Sequence, residues 1–159
     1  MNKAYYECKI GLLQMEYEED ILYSLKLVNL QFGENKRSLF TDGVARQIDE
    51  YFQGERKDFD VKYKFFGTEF QKRVWKALEE IPYGETRSYK DIASFIGNPK
   101  AVRAVGGACN KNPIWLIVPC HRVIGKNGSL TGYEGGVEMK QALLNLEQNG
   151  IIEPFDYTE

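Results

Sequence analysis

The sequence predicts an α/β N-terminal lobe, built from a small antiparallel sheet and one helix, followed by a mostly α-helical C-terminal domain that contains a helix-turn-helix. Two observations carry this prediction. β-prone runs come before residue 30, and apolar residues recur at helical spacing through most of the rest of the 159-residue chain. A polar, charged stretch begins at residue 55, and we take the residues from there to about 65 as a linker. We therefore expect two domains, at residues 1–65 and 66–159.

The N-terminal lobe is predicted from two short β-prone runs and one helical pattern. The runs cover residues 5–10 and 21–28, and the acidic stretch 16–20 separates them, which is typical of antiparallel strands. Thr41 and Asp42 then precede apolar residues at helical spacing, and this pattern stops at Gly54. The apolar residues are Val44, Ile48, Tyr51 and Phe52.

Three helices are predicted at the start of the C-terminal domain. Thr68 and Gln71 form a capping box ahead of the first helix, and Ser88 can cap the second, which stops at Gly97. Asn98-Pro99 supplies a cap and a first-turn proline for the third helix. The second and third helices fit either a helix-turn-helix or an ordinary αα-hairpin, because two helices joined by a glycine turn occur in both.

The third helix is rich in small residues. These are Ala101, Ala104, Gly106, Gly107 and Ala108. They let the helix backbone come close to another surface, although a glycine costs about 1 kcal/mol at a helical position. That surface is either a neighbouring helix or the phosphate backbone of a nucleic acid, and the pattern alone does not separate the two.

An apolar run and a last helix complete the domain. Residues 114–118 are too few for a helix and predict a buried extended segment. Pro119 ends this segment because proline cannot donate a ladder hydrogen bond. The last helix is predicted to begin near Gly136 and to end at Gly150, with Glu147 close to its C-terminal end.

Composition limits the kinds of site that the chain can hold. Three scattered cysteines, Cys8, Cys109 and Cys120, favour a reducing compartment over a disulfide framework. One histidine and no Cys-x-x-Cys pair leave too few ligands for a metal, so we expect no metal and no cofactor. No run approaches about 18 uninterrupted apolar residues, and we expect a cytoplasmic protein with no membrane association.

Charge is distributed unevenly along the chain. The net charge is −2, yet residues 86–126 hold seven basic residues and only one acidic residue, Asp91. The basic residues are Arg87, Lys90, Lys100, Arg103, Lys111, Arg122 and Lys126. A charged run is commonly a solvated face, but this one surrounds a Cys-His pair and so favours an anionic partner near that pair.

Cys120 and His121 stand side by side in "IVPCHRVIG". Cysteine attacks as the thiolate, and with an ordinary pKa of about 8.5 it needs a nearby base or cation at neutral pH. Adjacent residues of an extended stretch point to opposite sides, so the pair must lie on a bend or communicate through a water. A carboxylate would complete a triad, and Glu147 is one candidate among the acids. On these residues alone, an inert buried thiol and a structural histidine are equally good interpretations.

The segment "PCHRVIG", with "NP" shortly before it and "GYEGG" shortly after it, closely resembles the active-site motif of the O6-alkylguanine-DNA alkyltransferases. The resemblance extends from about Phe66 to Gly150. It implies that Cys120 accepts the alkyl group from O6 of guanine by in-line displacement, that His121 takes the thiol proton through a water, and that Glu147 holds His121. It also implies that Asn112 links the recognition helix to the active-site loop.

The resemblance further implies how duplex DNA is bound. Arg103 would fill the space left by the extruded base, and Tyr89 would assist extrusion and hydrogen-bond the guanine. The small-residue helix would enter the minor groove. Further expected DNA contacts are Lys100, Ala101 and Arg122.

Two features depart from some relatives: the residue that follows Tyr133, and the ligands for a zinc ion in the N-terminal lobe. Tyr133 would line the alkyl pocket, and Glu134 falls where some relatives carry a serine that contacts O6. The zinc site in the N-terminal lobe of some relatives cannot be assembled in its usual form with one histidine.

The expected function is single-turnover repair of O6-alkylguanine in double-stranded DNA by a monomer, with no cofactor. Activity on O4-alkylthymine and cooperative assembly on DNA are left open. One alternative is a non-catalytic module that recognises the alkylated base, although such proteins lack the cysteine. Another is a Cys-His hydrolase acting on a small ester or thioester, which would turn over repeatedly and would give Arg103 no role.

Overall fold

The computed structural model describes residues 1–126, 128, 136–150 and 152. The described chain divides into two units. The first comprises Met1–Phe65 and Pro113–Trp115, and the second comprises Phe66–Asn112 and the described residues from Leu116 onward. Within the described part of the chain, no helix has the length and apolar character needed to cross a membrane.

The first unit is a three-stranded antiparallel sheet followed by one helix. The strands lie in the order β1 (Asn2–Cys8), β2 (Gly11–Glu18) and β3 (Ile21–Val28). The predicted antiparallel sheet is confirmed, but the sequence pattern missed the central strand. Glu16 and Glu18 belong to β2, where they alternate with the buried side chains of Met15 and Tyr17. The acidic stretch is therefore the more exposed face of a strand as well as a turn.

Helix α1 (Leu39–Phe52) packs its predicted apolar stripe into the core of this unit. It begins earlier than Thr41-Asp42 indicated, because Ser38 is the N-cap and forms a capping box with Thr41. The predicted linker is not wholly irregular. The backbone of Leu22 in β3 exchanges hydrogen bonds with Lys62 and Lys64, at 3.0 and 3.1 Å.

The second unit is mostly helical and contains a short parallel strand pair. Its helices are α2 (Glu69–Leu78), α3 (Tyr89–Phe95), α4 (Val102–Asn110) and α5 (Val137–Asn149), and its strands are β4 (Arg87–Ser88) and β5 (Val123–Ile124). Helix α2 packs against α3 and α4, and the Trp75 indole Nε1 donates to the Ala108 carbonyl at 2.8 Å. The mostly α-helical C-terminal domain is therefore confirmed.

The predicted helix-turn-helix is formed by α3 and α4. Ser88 caps α3 as predicted, and Gly97 adopts a positive φ of 80° in the turn. Helix α4 begins at Val102, later than the Asn98-Pro99 pair indicated. Residues 98–101 form a turn instead, closed by a 3.0 Å hydrogen bond from the Ala101 amide to the Asn98 carbonyl.

The apolar run 114–118 is mostly buried, but it is not extended along its length. Only Ile114 pairs with a strand, through hydrogen bonds between Leu25 of β3 and the flanking residues Pro113 and Trp115. The chain then turns, and Leu116 has a φ of 71°. Burial of the run was predicted correctly, and its conformation was not.

We expect Trp75→Phe to lower the free energy of unfolding by about 2 kcal/mol, because it leaves the buried Ala108 carbonyl with only the Lys111 amide as a donor and removes buried ring atoms. Urea unfolding followed by circular dichroism measures the change. Phe66→Leu, at a side chain that is 68% exposed, serves as the control and should shift stability by less than about 0.5 kcal/mol. Equal effects of the two substitutions would contradict this expectation.

Candidate active site

A two-residue strand pair assembles the site. Strands β4 and β5 run parallel, with Arg87 opposite Val123 and Ser88 opposite Ile124. Tyr89 follows β4 directly, and the Cys-His pair directly precedes β5. The pairing therefore ties the start of α3, with Tyr89 at its first position, to the segment that carries Cys120 and His121.

Cys120 lies on a single 3₁₀ turn, residues Cys120–Arg122, that follows Pro119. The predicted bend is therefore present. Cys120 is only 6% exposed, and the Asn112 side-chain Nδ2 donates to its Sγ at 3.3 Å and to the Val118 carbonyl at 2.8 Å. A donor directed at sulfur stabilises the thiolate relative to the thiol. Asn112 thus joins the end of α4 to the loop that carries Cys120, and its amide would stabilise a thiolate at that position.

His121 is wholly buried and hydrogen-bonded to Glu147 of α5, with 2.6 Å between Nε2 and the carboxylate Oε2. An ionised carboxylate only accepts hydrogen bonds, so the imidazole proton resides on Nε2. The other ring nitrogen, Nδ1, has no hydrogen-bond partner among the described residues. Its lone pair is therefore available to take a proton.

The Glu147 carboxylate accepts three further hydrogen bonds that fix its position. Arg122 donates from Nε to Oε1 at 2.8 Å and from Nη2 to Oε2 at 3.0 Å, and the Gly84 amide donates to Oε1 at 3.1 Å. Gly84 has a φ of 80°, which a side chain would disfavour. Burial alone would raise the pKa of Glu147, but the hydrogen bonds from His121 and Arg122 and the positive charge of Arg122 outweigh burial and hold the pKa well below its usual range.

The pKa of His121 is lowered. Burial is the largest cause, and the nearby charges of Arg122 and Lys140 act in the same direction. The hydrogen bond and charge of Glu147 oppose them without reversing the shift. His121 is therefore neutral at physiological pH and is chemically a base.

Arg122 occupies a different place from the one expected of a DNA contact. It is 7% exposed, and its remaining nitrogen, Nη1, donates to the Ile81 carbonyl at 2.7 Å. Its guanidinium is turned inward because Glu147 is buried and requires a paired cation. The interpretation of Arg122 as part of an exposed basic surface was wrong, because its side chain is buried and paired with Glu147.

Lys140 is a site residue that the sequence analysis missed. It is fully buried on α5, and its Nζ lies 3.4 Å from the Tyr89 Oη and 5.5 Å from the centre of that ring. Burial lowers the pKa of Lys140, opposed by the nearby Cys120 and Cys109. Lys140 and Glu147 are seven residues apart, so two helical turns place them on one face. That spacing within an apolar stripe was the signal available in the sequence.

Tyr89 is partly buried beside this lysine. Burial, followed by the charges that Cys109 and Cys120 would carry, raises the pKa of Tyr89 to about 12. The phenol therefore stays protonated at neutral pH and can donate a hydrogen bond. The same desolvation raises the pKa of Cys109 to about 12, which leaves Cys109 a thiol.

The remaining predicted site residues divide into exposed and undescribed ones. Lys100 and Arg103 are exposed near and on α4, and Ala101 is the half-buried N-cap of that helix. Ala104 and Gly107 are also exposed, whereas Val105, Ala108 and Cys109 face the core. Tyr133 and Glu134 lie outside the described residues.

Comparison with known families matches both parts of the chain. The model described as the 6-O-methylguanine DNA methyltransferase DNA binding domain matches residues 69–149, and the model of the ribonuclease-like domain of the same protein matches residues 1–65. The chain belongs to the 6-O-methylguanine DNA methyltransferase family. The family resemblance stated from "PCHRVIG" is thereby confirmed.

Individual members of the 6-O-methylguanine DNA methyltransferase family are similar over almost the whole chain. A methylated-DNA–protein-cysteine methyltransferase of Methanosarcina acetivorans is 52% identical over 92% of this chain and 98% of its own length. One from Mycolicibacterium paratuberculosis is 50% identical over 87% of each chain. The crystal structure of Mycobacterium tuberculosis OGT in complex with DNA has a TM-score of 0.85 and 45% identity, covering 95% of each chain.

We expect folding stability to fall as pH drops from about 7 to about 5. The lowered pKa of His121 means that the unfolded chain, with a histidine pKa of about 6.5, binds a proton that the folded protein refuses. The slope can reach about 1.4 kcal/mol per pH unit for one proton. Glu147 adds a loss in the same direction, confined to more acidic pH below its unfolded pKa of about 4.3.

Urea unfolding at several pH values measures this slope, and His121→Gln is the matched variant. Because the chain has one histidine, the slope between about pH 6.5 and pH 5 should be shallower in His121→Gln. Other titrating groups, such as Asp49, contribute equally in both proteins and cancel in the comparison. Identical slopes in the two proteins would show that His121 is not held neutral.

Proposed function

We propose that this chain is a DNA-repair alkyltransferase that moves the alkyl group from O6 of guanine in duplex DNA to its own Cys120. The observation that carries the proposal is the arrangement of Asn112, Cys120, His121 and Glu147, a buried thiol with a donor on its sulfur beside an oriented neutral imidazole. Membership of the 6-O-methylguanine DNA methyltransferase family supports the same assignment. The protein acts as a monomer, once per chain, and without a cofactor.

The chemical step is an in-line displacement at the alkyl carbon. The Cys120 thiol gives its proton, through a water, to the lone pair on Nδ1 of His121, and Asn112 stabilises the resulting thiolate. A sulfur–carbon bond forms while the bond from O6 to that carbon breaks, and its electron pair stays on the guanine. The guanine anion takes up a proton from solvent and the His121 imidazolium releases the thiol proton to solvent, so that the products are guanine and an S-alkyl cysteine.

Tyr89 provides the donor for the leaving guanine. Its phenol stays protonated and lies within 3.4 Å of the buried ammonium of Lys140. A hydrogen bond from Tyr89 to a guanine ring nitrogen stabilises the negative charge that develops on the base as the alkyl group departs. The reaction therefore has a base on the sulfur side and a donor on the guanine side.

The helix-turn-helix supplies the surface that binds DNA. Arg103, Ala104 and Gly107 are exposed on α4, and a Cβ added at Gly107 would meet nothing within 4 Å. Packing inside the protein therefore does not require a glycine there, although glycine is costly in a helix. A slim exposed helix face beside a cation suits close approach to a groove of the duplex, where Arg103 replaces the extruded base.

Intact-protein mass spectrometry after incubation with excess duplex containing O6-methylguanine tests the reaction. We expect one methyl group per chain, mapped to Cys120, with no further gain at longer times. Cys120→Ser should gain none, whereas Cys109→Ser, which removes a neighbouring buried thiol, should still be methylated. Lesion binding without transfer would favour a recognition module, and repeated turnover of a small ester would favour a hydrolase.

Arg103→Ala should slow methyl transfer from duplex DNA by roughly tenfold to a thousandfold, because nothing then fills the space left by the extruded base. Transfer from the free base O6-methylguanine should change little, since that substrate needs no extrusion. Single-turnover rates on both substrates give the ratio, and Arg46→Ala, at an exposed arginine of α1, provides an arginine control. An equal loss on both substrates would assign Arg103 to the integrity of the fold.

A further inference from the structure

Arg122 is a buried cation that contacts Glu147, the hydrogen-bond partner of His121. All three guanidinium nitrogens donate hydrogen bonds. Nε and Nη2 donate to the two Glu147 carboxylate oxygens at 2.8 and 3.0 Å, and Nη1 donates to the Ile81 carbonyl at 2.7 Å. Two parallel hydrogen bonds between a guanidinium and a carboxylate fix both position and plane. The arginine therefore determines where the Glu147 carboxylate stands when it meets His121.

The same contact changes the charge that His121 experiences. In a triad the carboxylate normally supports a positive imidazole. Here that negative charge is already matched by Arg122. The charged groups that act on His121 are Glu147 and Lys140 from α5 and Arg122 from the 3₁₀ turn, which amount to one anion and two cations. Burial is the largest influence against imidazolium in the resting protein, the contact with Glu147 favours imidazolium, and Arg122 and Lys140 oppose Glu147.

We propose that Arg122 is a positioning residue that acts on His121 through Glu147. It holds the carboxylate against Nε2 and offsets part of its charge, so that burial keeps the resting imidazole neutral, with its proton on Nε2 and its lone pair on Nδ1. The role of that lone pair as the base for the Cys120 thiol rests on the proposed function. The charge and the tautomer of His121 are independent of that function.

A neutral His121 beside Cys120 protects a protein that can react only once. A permanent thiolate–imidazolium pair would react with any small electrophile and consume the protein. With Arg122 in place, the imidazole stays neutral until the alkylated base is bound and displacement begins. Arg122 thereby delays activation of the sulfur until the substrate is present.

Nitrogen-15 NMR of the imidazole tests this directly, because the chain contains a single histidine and its signals need no assignment. The spectra are recorded without DNA between about pH 5.5 and pH 8. Three variants accompany the wild-type protein. Arg122→Gln removes the charge and retains a donor, Arg122→Lys retains the charge, and Arg56→Gln removes a partly exposed arginine that pairs with Glu50 in the first unit.

We expect the wild-type imidazole to be neutral and protonated on Nε2 across this range. Arg122→Gln should bind the imidazole proton at least about tenfold more tightly, whereas Arg122→Lys, which keeps the cation without the two parallel hydrogen bonds, should leave the imidazole neutral, and Arg56→Gln should match the wild type. An imidazolium in the wild-type protein at neutral pH, or an Arg122→Gln titration equal to the wild type, would overturn the proposal.

Two further results keep the test decisive. If Arg122→Gln does not fold, a charged imidazole in Arg122→Lys overturns the proposal, because the cation that should exclude the proton is retained. Failure of methyl transfer to Cys120 would overturn the proposed function while leaving the NMR result intact. The two hypotheses therefore fail in different experiments.

Discussion

The structure of the site depends on one buried carboxylate. Glu147 projects from α5 into a region closed to solvent, where a lone negative charge would be strongly unfavourable. The cost is offset by Arg122, His121 and the amide of Gly84, which come from the 3₁₀ turn and from the bend after α2. One ion thus joins three segments that are far apart in sequence. Satisfying the charge and building the active site are the same structural event.

The reactive residues are held by very little regular structure. Cys120 and His121 lie on a single turn, and β4 and β5 have two residues each. Such short elements have little stability of their own. Side-chain hydrogen bonds hold them in place instead, from Asn112 to the Val118 carbonyl and from Arg122 to Ile81. These polar contacts stabilise the short strand pair in the way that additional strand residues stabilise a larger sheet.

Much of the fold could be predicted from the sequence, because periodicity and caps are local properties. Ser88 and Thr68 cap helices as their patterns indicated, and the apolar stripe of α1 is buried. The central strand was missed because its glutamates were interpreted as a separator. The start of α4 was misplaced because Asn98-Pro99 suits a turn as well as a cap. Residues 114–118 were given the wrong conformation because burial alone does not specify backbone angles.

The site was predictable in its residue types and less so in its charges. Cys120 and His121 could be singled out by chemistry, but only the family resemblance selected Glu147 among the acids. The burial of Arg122 and Lys140 ran against expectation, since basic residues are rarely buried without a partner. Gly84 could not be found by side-chain chemistry because it contributes a backbone amide. The roles of residues that act through their burial or their backbone amide are difficult to predict from residue type alone.

The chain path after α4 has a consequence for how this protein can be divided. Pro113–Trp115 belongs to the first unit, where it pairs with Leu25 of β3, yet it directly follows Asn112 of the second. Neither unit is therefore encoded by one continuous stretch of the gene. A recombinant fragment beginning at residue 66 would carry three residues whose backbone partners had been left behind. An exchange of N-terminal halves between relatives would have to match this short segment as well as the junction near residue 65.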